Sequence, residues 1–205
     1  MDSLFPYKQD VDYIKLKTTE EGVYSITRKR DGERILSIIK YNVKDLNTKT
    51  ITDGTACIGG DTIQFGLWFN HVHSIEINSD NFECLENNIK VYNLNNVTLY
   101  KGDCTTIFNW KTDVLYLDPP WGGPEYKSRT NLDLSIGNKR IDVWLDEILI
   151  RKNRPSFIFL KLPHNYNFKR LNFLVNVEMI KPFRVHNYVL IMIIVHQTLE
   201  QRTVV

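Results

Sequence analysis

Short apolar runs alternate along the chain with stretches whose apolar residues recur at helical spacing. Ile35, Leu36, Ile38 and Ile39 share one face at that spacing, which predicts a helix over 31–41. Residues 50–53 read as a short strand ending in a glycine-bearing loop, and 61–69 as the helix that follows. A strand over 73–77 leads into a helix over 80–92 with Phe82, Leu85 and Ile89 on one face, and then into a strand over 97–101. Residues 114–117 form a fourth strand, 141–151 a helix, 156–162 a buried-looking strand and 168–175 a further helical segment. Residues 177–182 and 188–196 are joined by so short a connection that they predict a terminal antiparallel hairpin.

Strand–helix alternation of this kind implies an α/β, Rossmann-like fold. A mostly parallel sheet is covered on both faces, and the closing hairpin adds one antiparallel strand. Ligands of such sheets sit at the carboxyl ends of the strands, near the switch point. No linker divides the chain, so one domain is expected over 28–205, preceded by a short, polar N-terminal extension over 1–27.

Composition changes this picture little. A chain of 205 residues with 42% hydrophobic residues can bury a full core and is not disordered. A net charge of +2 does not identify a partner. Two basic clusters, Arg28, Lys29, Arg30 and Arg34, then Lys161, Lys169 and Arg170, are candidates for phosphate contact. Cys57, Cys84 and Cys104 form no paired motif, which argues against zinc and for a reducing compartment. His71 and His73 are read as packing residues on alternate faces of a strand, and no metal is expected. The N-terminus lacks an apolar signal core, and the longest apolar run, Tyr188 to Val195, is too short to span a bilayer. The protein is therefore expected inside the cell, in the cytoplasm or nucleus, as a monomer away from membranes.

Candidate chemistry falls just after four of the predicted strands. Asp53-Gly54-Thr55-Ala56-Cys57-Ile58-Gly59-Gly60-Asp61 follows the first strand and opens a helix, where glycines permit a sharp turn and exposed N–H groups can hold a carboxylate. Glu76, 23 residues after Asp53 at the end of the second strand, is placed to accept both hydroxyls of a ribose. Asp103, in Gly102-Asp103-Cys104 past the third strand, is placed to accept from an adenine amine. Each feature is weak alone; three in order point to a nucleoside cofactor. The absence of a GxGxxG motif argues against a dinucleotide.

Asp118-Pro119-Pro120-Trp121, after the fourth strand, is the most specific signal. Two prolines fix φ and lack N–H groups, so their carbonyls are available as acceptors. An exocyclic amine has two N–H donors. The Asp118 side chain and the Pro119 carbonyl could accept one each and turn the nitrogen lone pair toward a methyl donor, and Trp121 offers a face for stacking a base.

The longer run Asp118-Pro119-Pro120-Trp121-Gly122-Gly123-Pro124-Glu125-Tyr126 resembles the trimethylguanosine synthase family, whose motif reads Ser-Pro-Pro-Trp-Gly-Gly-Pro-Asp-Tyr. Four other segments are similar in the same order: residues 21–27, residues 59–65, Asn87-Asn88 and Leu162-Pro163-His164-Asn165. The resemblance runs from about residue 14 to residue 195. It implies a class I methyltransferase fold of seven strands, S-adenosylmethionine as cofactor, and the exocyclic N2 amine of a 7-methylguanosine RNA cap as acceptor. It further implies that Thr27, Asp53, Gly54, Thr55, Glu76, Asp103, Cys104 and Asp118 serve the cofactor. Asn88, Trp121, Tyr126 and His164 would serve the cap, with Trp121 stacked on the cationic base. This chain has Asp118 where the family has Ser, and His164 where it has Arg. The Asp118 carboxylate is expected to act as an anion beside the cationic base. Rival readings are an adenine-N6 or other nucleobase amino methyltransferase, and a non-catalytic cap-binding subunit that keeps the fold.

Overall fold

The computed structural model describes residues 4–197. The chain falls into two compact units, one ending at Ile107 and the other beginning at Phe108.

The first unit comprises α1 (Glu20–Ser25), α2 (Lys29–Asn42), β1 (Thr50–Asp53), α3 (Gly60–Gly66), β2 (His71–Glu76), α4 (Ser79–Val91), β3 (Val97–Lys101) and α5 (Cys104–Ile107). Its strands are parallel in the order β3-β2-β1. Helix α2 buries Ile35, Leu36, Ile38 and Ile39, the stripe read from its spacing. Local chemistry fixes the helix starts. The Thr19 hydroxyl accepts from the Gly22 N–H ahead of α1, and the Asn78 side chain accepts from the Asp80 and Asn81 N–H groups ahead of α4. The core gathers Phe5, Leu16, Ile26, Ile58, Ile63, Leu85 and Tyr92, so residues before Arg28 contribute to it directly. Residues two apart on a strand share a face. His71 and His73 accordingly lie on one face of β2, with ring centroids 4.7 Å apart, which corrects the expectation of alternate faces.

The second unit comprises β4 (Val114–Leu117), the short hairpin β5 (Ser135–Ile136) and β6 (Lys139–Arg140), α6 (Ile141–Leu149), β7 (Phe157–Leu162), β8 (Val177–Arg184) and β9 (Val189–Val195). The order is β4-β7-β9-β8; β4 and β7 are parallel, and β9 is antiparallel to both its neighbours. Strand β9 is almost wholly buried, whereas β8 is the polar, bulged edge and carries Pro182 where the ladder has no further neighbour. Residues 168–175, expected as a helix, contain only 3-10 turns over Phe168–Phe173, with Leu171 as their buried anchor.

Among the described residues, no helix is long and apolar enough to cross a membrane.

Candidate active site

In the first unit, register aligns the three expected acidic positions. Asp53 pairs with Ser74, two residues before Glu76, and Glu76 pairs with Lys101, two residues before Asp103. The ends of β1, β2 and β3 therefore bring Asp53, Glu76 and Asp103 to one edge of the parallel strands.

Asp53 is fully buried. Its Oδ2 accepts from the Thr62 hydroxyl at 2.6 Å, and its Oδ1 from the Thr55 N–H at 3.3 Å. The Thr62 hydroxyl also meets the Ser74 hydroxyl at 2.7 Å. Asp53 thus ties the loop after β1 to α3 and β2. Gly60 is needed for close approach: a Cβ there would lie 2.6 Å from Ile26 Cγ1 and 2.8 Å from the Thr27 carbonyl oxygen. The Thr27 hydroxyl donates to Asp61 Oδ2 at 2.6 Å, so the segment before α2 is tied to the start of α3.

Glu76 accepts from the Cys57 N–H and the Asn78 N–H, each at 2.7 Å. Burial raises its pKa above the ordinary value; the backbone N–H groups of Asn78 and Cys57 oppose that shift, while the Glu21 charge adds to it. Asp103 Oδ1 accepts from the N–H and the hydroxyl of Thr105, both at 2.8 Å, which starts α5. Cys104 is buried, and burial pushes its thiol above the usual range, so it is packing and not a nucleophile. Two carboxylates at successive strand ends beside a glycine-bearing turn suit a nucleoside with a ribose diol and an adenine amine. The acceptor set fits S-adenosylmethionine.

Asn88 departs from expectation. It is fully buried. Its Oδ1 accepts from the Lys17 N–H at 2.8 Å and from the Asn87 amide at 3.1 Å; its Nδ2 donates to the Lys17 carbonyl at 2.9 Å and to the Ile58 carbonyl at 3.0 Å. Both amide donors and the oxygen are engaged. Asn88 is an internal bracket between the N-terminal segment and the loop after β1, not a reader of a guanine edge.

In the second unit, Leu117 pairs with Leu160, so the next residues on β4 and β7, Asp118 and Lys161, emerge side by side. Lys161 donates to Asp118 Oδ2 at 2.7 Å, with side-chain exposures of only 9% and 15%. Lys161, a candidate for phosphate contact, is thus paired with Asp118, and the Asp118 anion has an ammonium beside it. Arg170, from the same basic cluster, pairs with Asp133 at 2.8 Å. The Lys161 ammonium also lies 5.6 Å from the Trp121 ring centroid and 5.4 Å from that of Tyr188.

Pro119 is buried and Pro120 exposed. Trp121 meets Tyr126 edge to face, with centroids 5.1 Å apart and planes at 75°. Its indole N–H is buried and has no hydrogen-bond partner among the described residues. Gly123 adopts φ 68° and ψ −167°, a conformation essentially restricted to glycine, and this turns the chain back toward Tyr126. Asn165 then holds the loop by donating to the carbonyls of Tyr126 and Arg129 at 2.6 and 2.7 Å. His164 is exposed on the same turn and lies 3.2 Å from the His186 carbonyl. Lys161 and Asn165 are the residues whose part in this site sequence reasoning missed. The one signal was a lone lysine inside the apolar run Phe157–Leu162.

These two sets of groups, on this fold, define an S-adenosylmethionine-dependent class I methyltransferase. The sequence model of the RNA cap guanine-N2 methyltransferases matches residues 48–198, and the chain belongs to that family. It is 29% identical over 189 residues to an uncharacterised protein of Acanthamoeba polyphaga mimivirus, covering 80% of this chain and 73% of that one. It is 25% identical over 169 residues to the trimethylguanosine synthase of Saccharomyces cerevisiae, covering 79% of this chain but 53% of the yeast protein, so the chain spans about half of that relative. In fold it is similar to a precorrin methyltransferase from Geobacter metallireducens, with a TM-score of 0.62, 16% identity, and coverage of 92% of this chain and 97% of that one.

Proposed function

We propose that the chain transfers a methyl group to the exocyclic N2 amine of the guanine in a 7-methylguanosine RNA cap, acting as a monomer. The observation that carries this reading is the arrangement of Asp118, Trp121 and Tyr126 after β4, with Asp118 fixed by Lys161 and the Tyr126 loop fixed by Asn165. S-adenosylmethionine, when bound, supplies the electrophilic methyl group.

Each residue then has a part. Glu76 accepts from the ribose hydroxyls of the cofactor, and Asp103 accepts from its adenine amine. Gly54, Thr55 and the backbone beside Cys104 line the loops that receive it. Asp53 and Thr27 act at one remove: their hydrogen bonds to Thr62 and Asp61 hold the loop after β1 in shape. Trp121 stacks on the guanine, worth about 1–3 kcal/mol for a base on an aromatic face. With one Asp118 oxygen held by Lys161, the carboxylate has remaining acceptor capacity for one N–H of the amine, and the Pro119 carbonyl takes the other. The nitrogen lone pair is then turned out of the plane of these two acceptors. Tyr126 packs edge to face with Trp121 and sets its plane. His164, exposed at the mouth of the second unit, serves the cap phosphates.

The test is transfer of label from S-adenosylmethionine to 7-methyl-GTP by the wild type and by Trp121→Ala. The reading expects transfer by the wild type, lowered in the variant by roughly fivefold to a hundredfold, from the stacking energy above. Cofactor binding with no transfer to any nucleotide would favour the non-catalytic binding subunit instead.

A further inference from the structure

We propose that the groove between α2, the end of α3 and Tyr7 binds a nucleotide of single-stranded RNA, with a base on Trp68 and its phosphate at Lys40. It is a contact for the body of an RNA, made by residues other than those assigned to the cofactor or the methyl acceptor. The groove lies wholly within the first unit, and the inference does not depend on which atom is methylated.

The walls follow from helical spacing. On α2, Glu33, Leu36, Ser37 and Lys40 fall at i, i+3, i+4 and i+7 and form one stripe beside the buried one. Gln64, Leu67 and Trp68 repeat i, i+3 and i+4 over the end of α3. With Pro6 and Tyr7 these stripes line an open groove of about 510 Å³, within the range of about 300–1,000 Å³ in which small ligands are held. The N-terminal wall is fixed. Phe5 is fully buried, the Lys29 N–H donates to the Leu4 carbonyl at 3.1 Å, and the Tyr92 hydroxyl donates to the Pro6 carbonyl. This anchored backbone leaves Tyr7 69% exposed, and α3 leaves Trp68 47% exposed. Each ring has an ammonium over it: Lys40 Nζ lies 3.2 Å from the Trp68 centroid, and Lys29 Nζ 5.5 Å from that of Tyr7.

Exposed rings interleaved with ammonium groups match the two parts of a nucleotide, a base to stack and a phosphate to neutralise. Charge favours the same occupant. Residues 28–40 hold five cationic and two anionic side chains, a net +3 where the whole chain has +2. Glu33 is the one carboxylate lining the groove, and Lys29 stands one turn before it on α2. When a base takes the Trp68 face, the flexible stem of Lys40 carries its ammonium from the ring to the phosphate. At the floor, Gln64 is 5% exposed and its Oε1 has no hydrogen-bond partner among the described residues. A buried acceptor without a donor is costly, and the exocyclic amine of a lodged base supplies one once the amide turns toward it. A duplex keeps its base faces stacked on one another, so the occupant is single-stranded.

The experiment is fluorescence anisotropy of a short, labelled, uncapped single-stranded oligoribonucleotide, titrated at several salt concentrations with the wild type, Trp68→Ala, Trp68→Phe and Lys40→Ala. Trp68→Ala should weaken binding by roughly fivefold to a hundredfold with the salt dependence unchanged, and Trp68→Phe should restore most of it. Lys40→Ala should lower the slope of log affinity against log salt by about 0.7, the loss of one phosphate contact on a single strand. The same sequence as a duplex should bind more weakly. Melting temperature and calorimetry with S-adenosylmethionine check that each variant is folded; if Trp68→Ala is not, Tyr7→Ala removes the second ring and decides the same question. Absence of RNA binding by the wild type would overturn the inference. So would equal affinity for duplex and single strand, or an affinity that neither ring substitution moves. A protein that binds the oligonucleotide in the expected way but does not bind 7-methyl-GTP would overturn the cap reading and leave this inference standing.

Discussion

The Asn165 side chain donates to the main-chain carbonyl of Tyr126 at 2.6 Å and to that of Arg129 at 2.7 Å. One amide on the loop after β7 thereby fixes the loop that follows β4 and, through Tyr126, the plane of Trp121. Asn165→Ala should lower stability by about 1–2 kcal/mol, the scale of two partly exposed hydrogen bonds. It should raise KM for the capped substrate several-fold while leaving cofactor affinity unchanged, because the two bonds it removes hold only the loop after β4. Thermal denaturation and calorimetry with S-adenosylmethionine would check both halves.

Thr62 bridges Asp53 and Ser74 inside the first unit. Thr62→Val keeps the volume and removes the hydroxyl, so a buried carboxylate loses a donor. The expected cost is about 1–3 kcal/mol, and cofactor affinity should fall with it because the loop after β1 loses its tie to α3. Denaturant unfolding with and without S-adenosylmethionine would separate the two effects.

Glu76 carries a pH signature. Burial holds its pKa above the ordinary carboxylate value. An ionised carboxylate accepts from ribose hydroxyls more strongly than a neutral one, so cofactor affinity should be full at neutral pH. It should decline as the pH falls, beginning above the range of an exposed glutamate. Glu76→Gln should bind weakly at neutral pH and lack that acid limb; calorimetry across pH 5–8 is the check.

His73 acts on stability instead. Burial first, and the neighbouring His71 second, push its pKa down from 6.5 to about 4. The unfolded chain binds this proton more readily than the folded one. His73 therefore contributes no penalty above about pH 6.5, and stability is lost progressively as the pH falls from there toward about 4. His73→Gln should flatten that part of the curve of melting temperature against pH, at some loss of the contact with the Tyr100 hydroxyl.

The strand ends were legible because β4 is a short apolar run and β1 and β3 are short segments rich in β-branched and aromatic residues, each ending at or just before a residue that carries chemistry: Asp53, Asp103 and Asp118. The terminal hairpin was legible from its spacing. What escaped was local or lateral. Helix α1 is six residues long and buries only Gly22, so it leaves no apolar stripe to read. Strands β5 and β6 have two residues each, too few for an alternation. The segment near residue 170, expected as a helix, buries only Leu171 and leaves Phe173 81% exposed, so no apolar stripe holds it against the core. Lys161 is beside Asp118 through the parallel register of β4 and β7, which no pattern along one strand contains. Asn88 was assigned to the cap by the resemblance alone; here its amide completes the hydrogen bonding of a buried turn.

Identification of the methylated atom in the product tests the central claim most directly. The protein would be incubated with labelled S-adenosylmethionine and a short capped RNA that contains adenines as well as guanines, and the RNA digested to nucleosides and resolved by mass spectrometry. The account expects label on N2 of the cap guanine alone, and its loss in Trp121→Ala. Label on adenine N6, or on guanines within the RNA body, would contradict it.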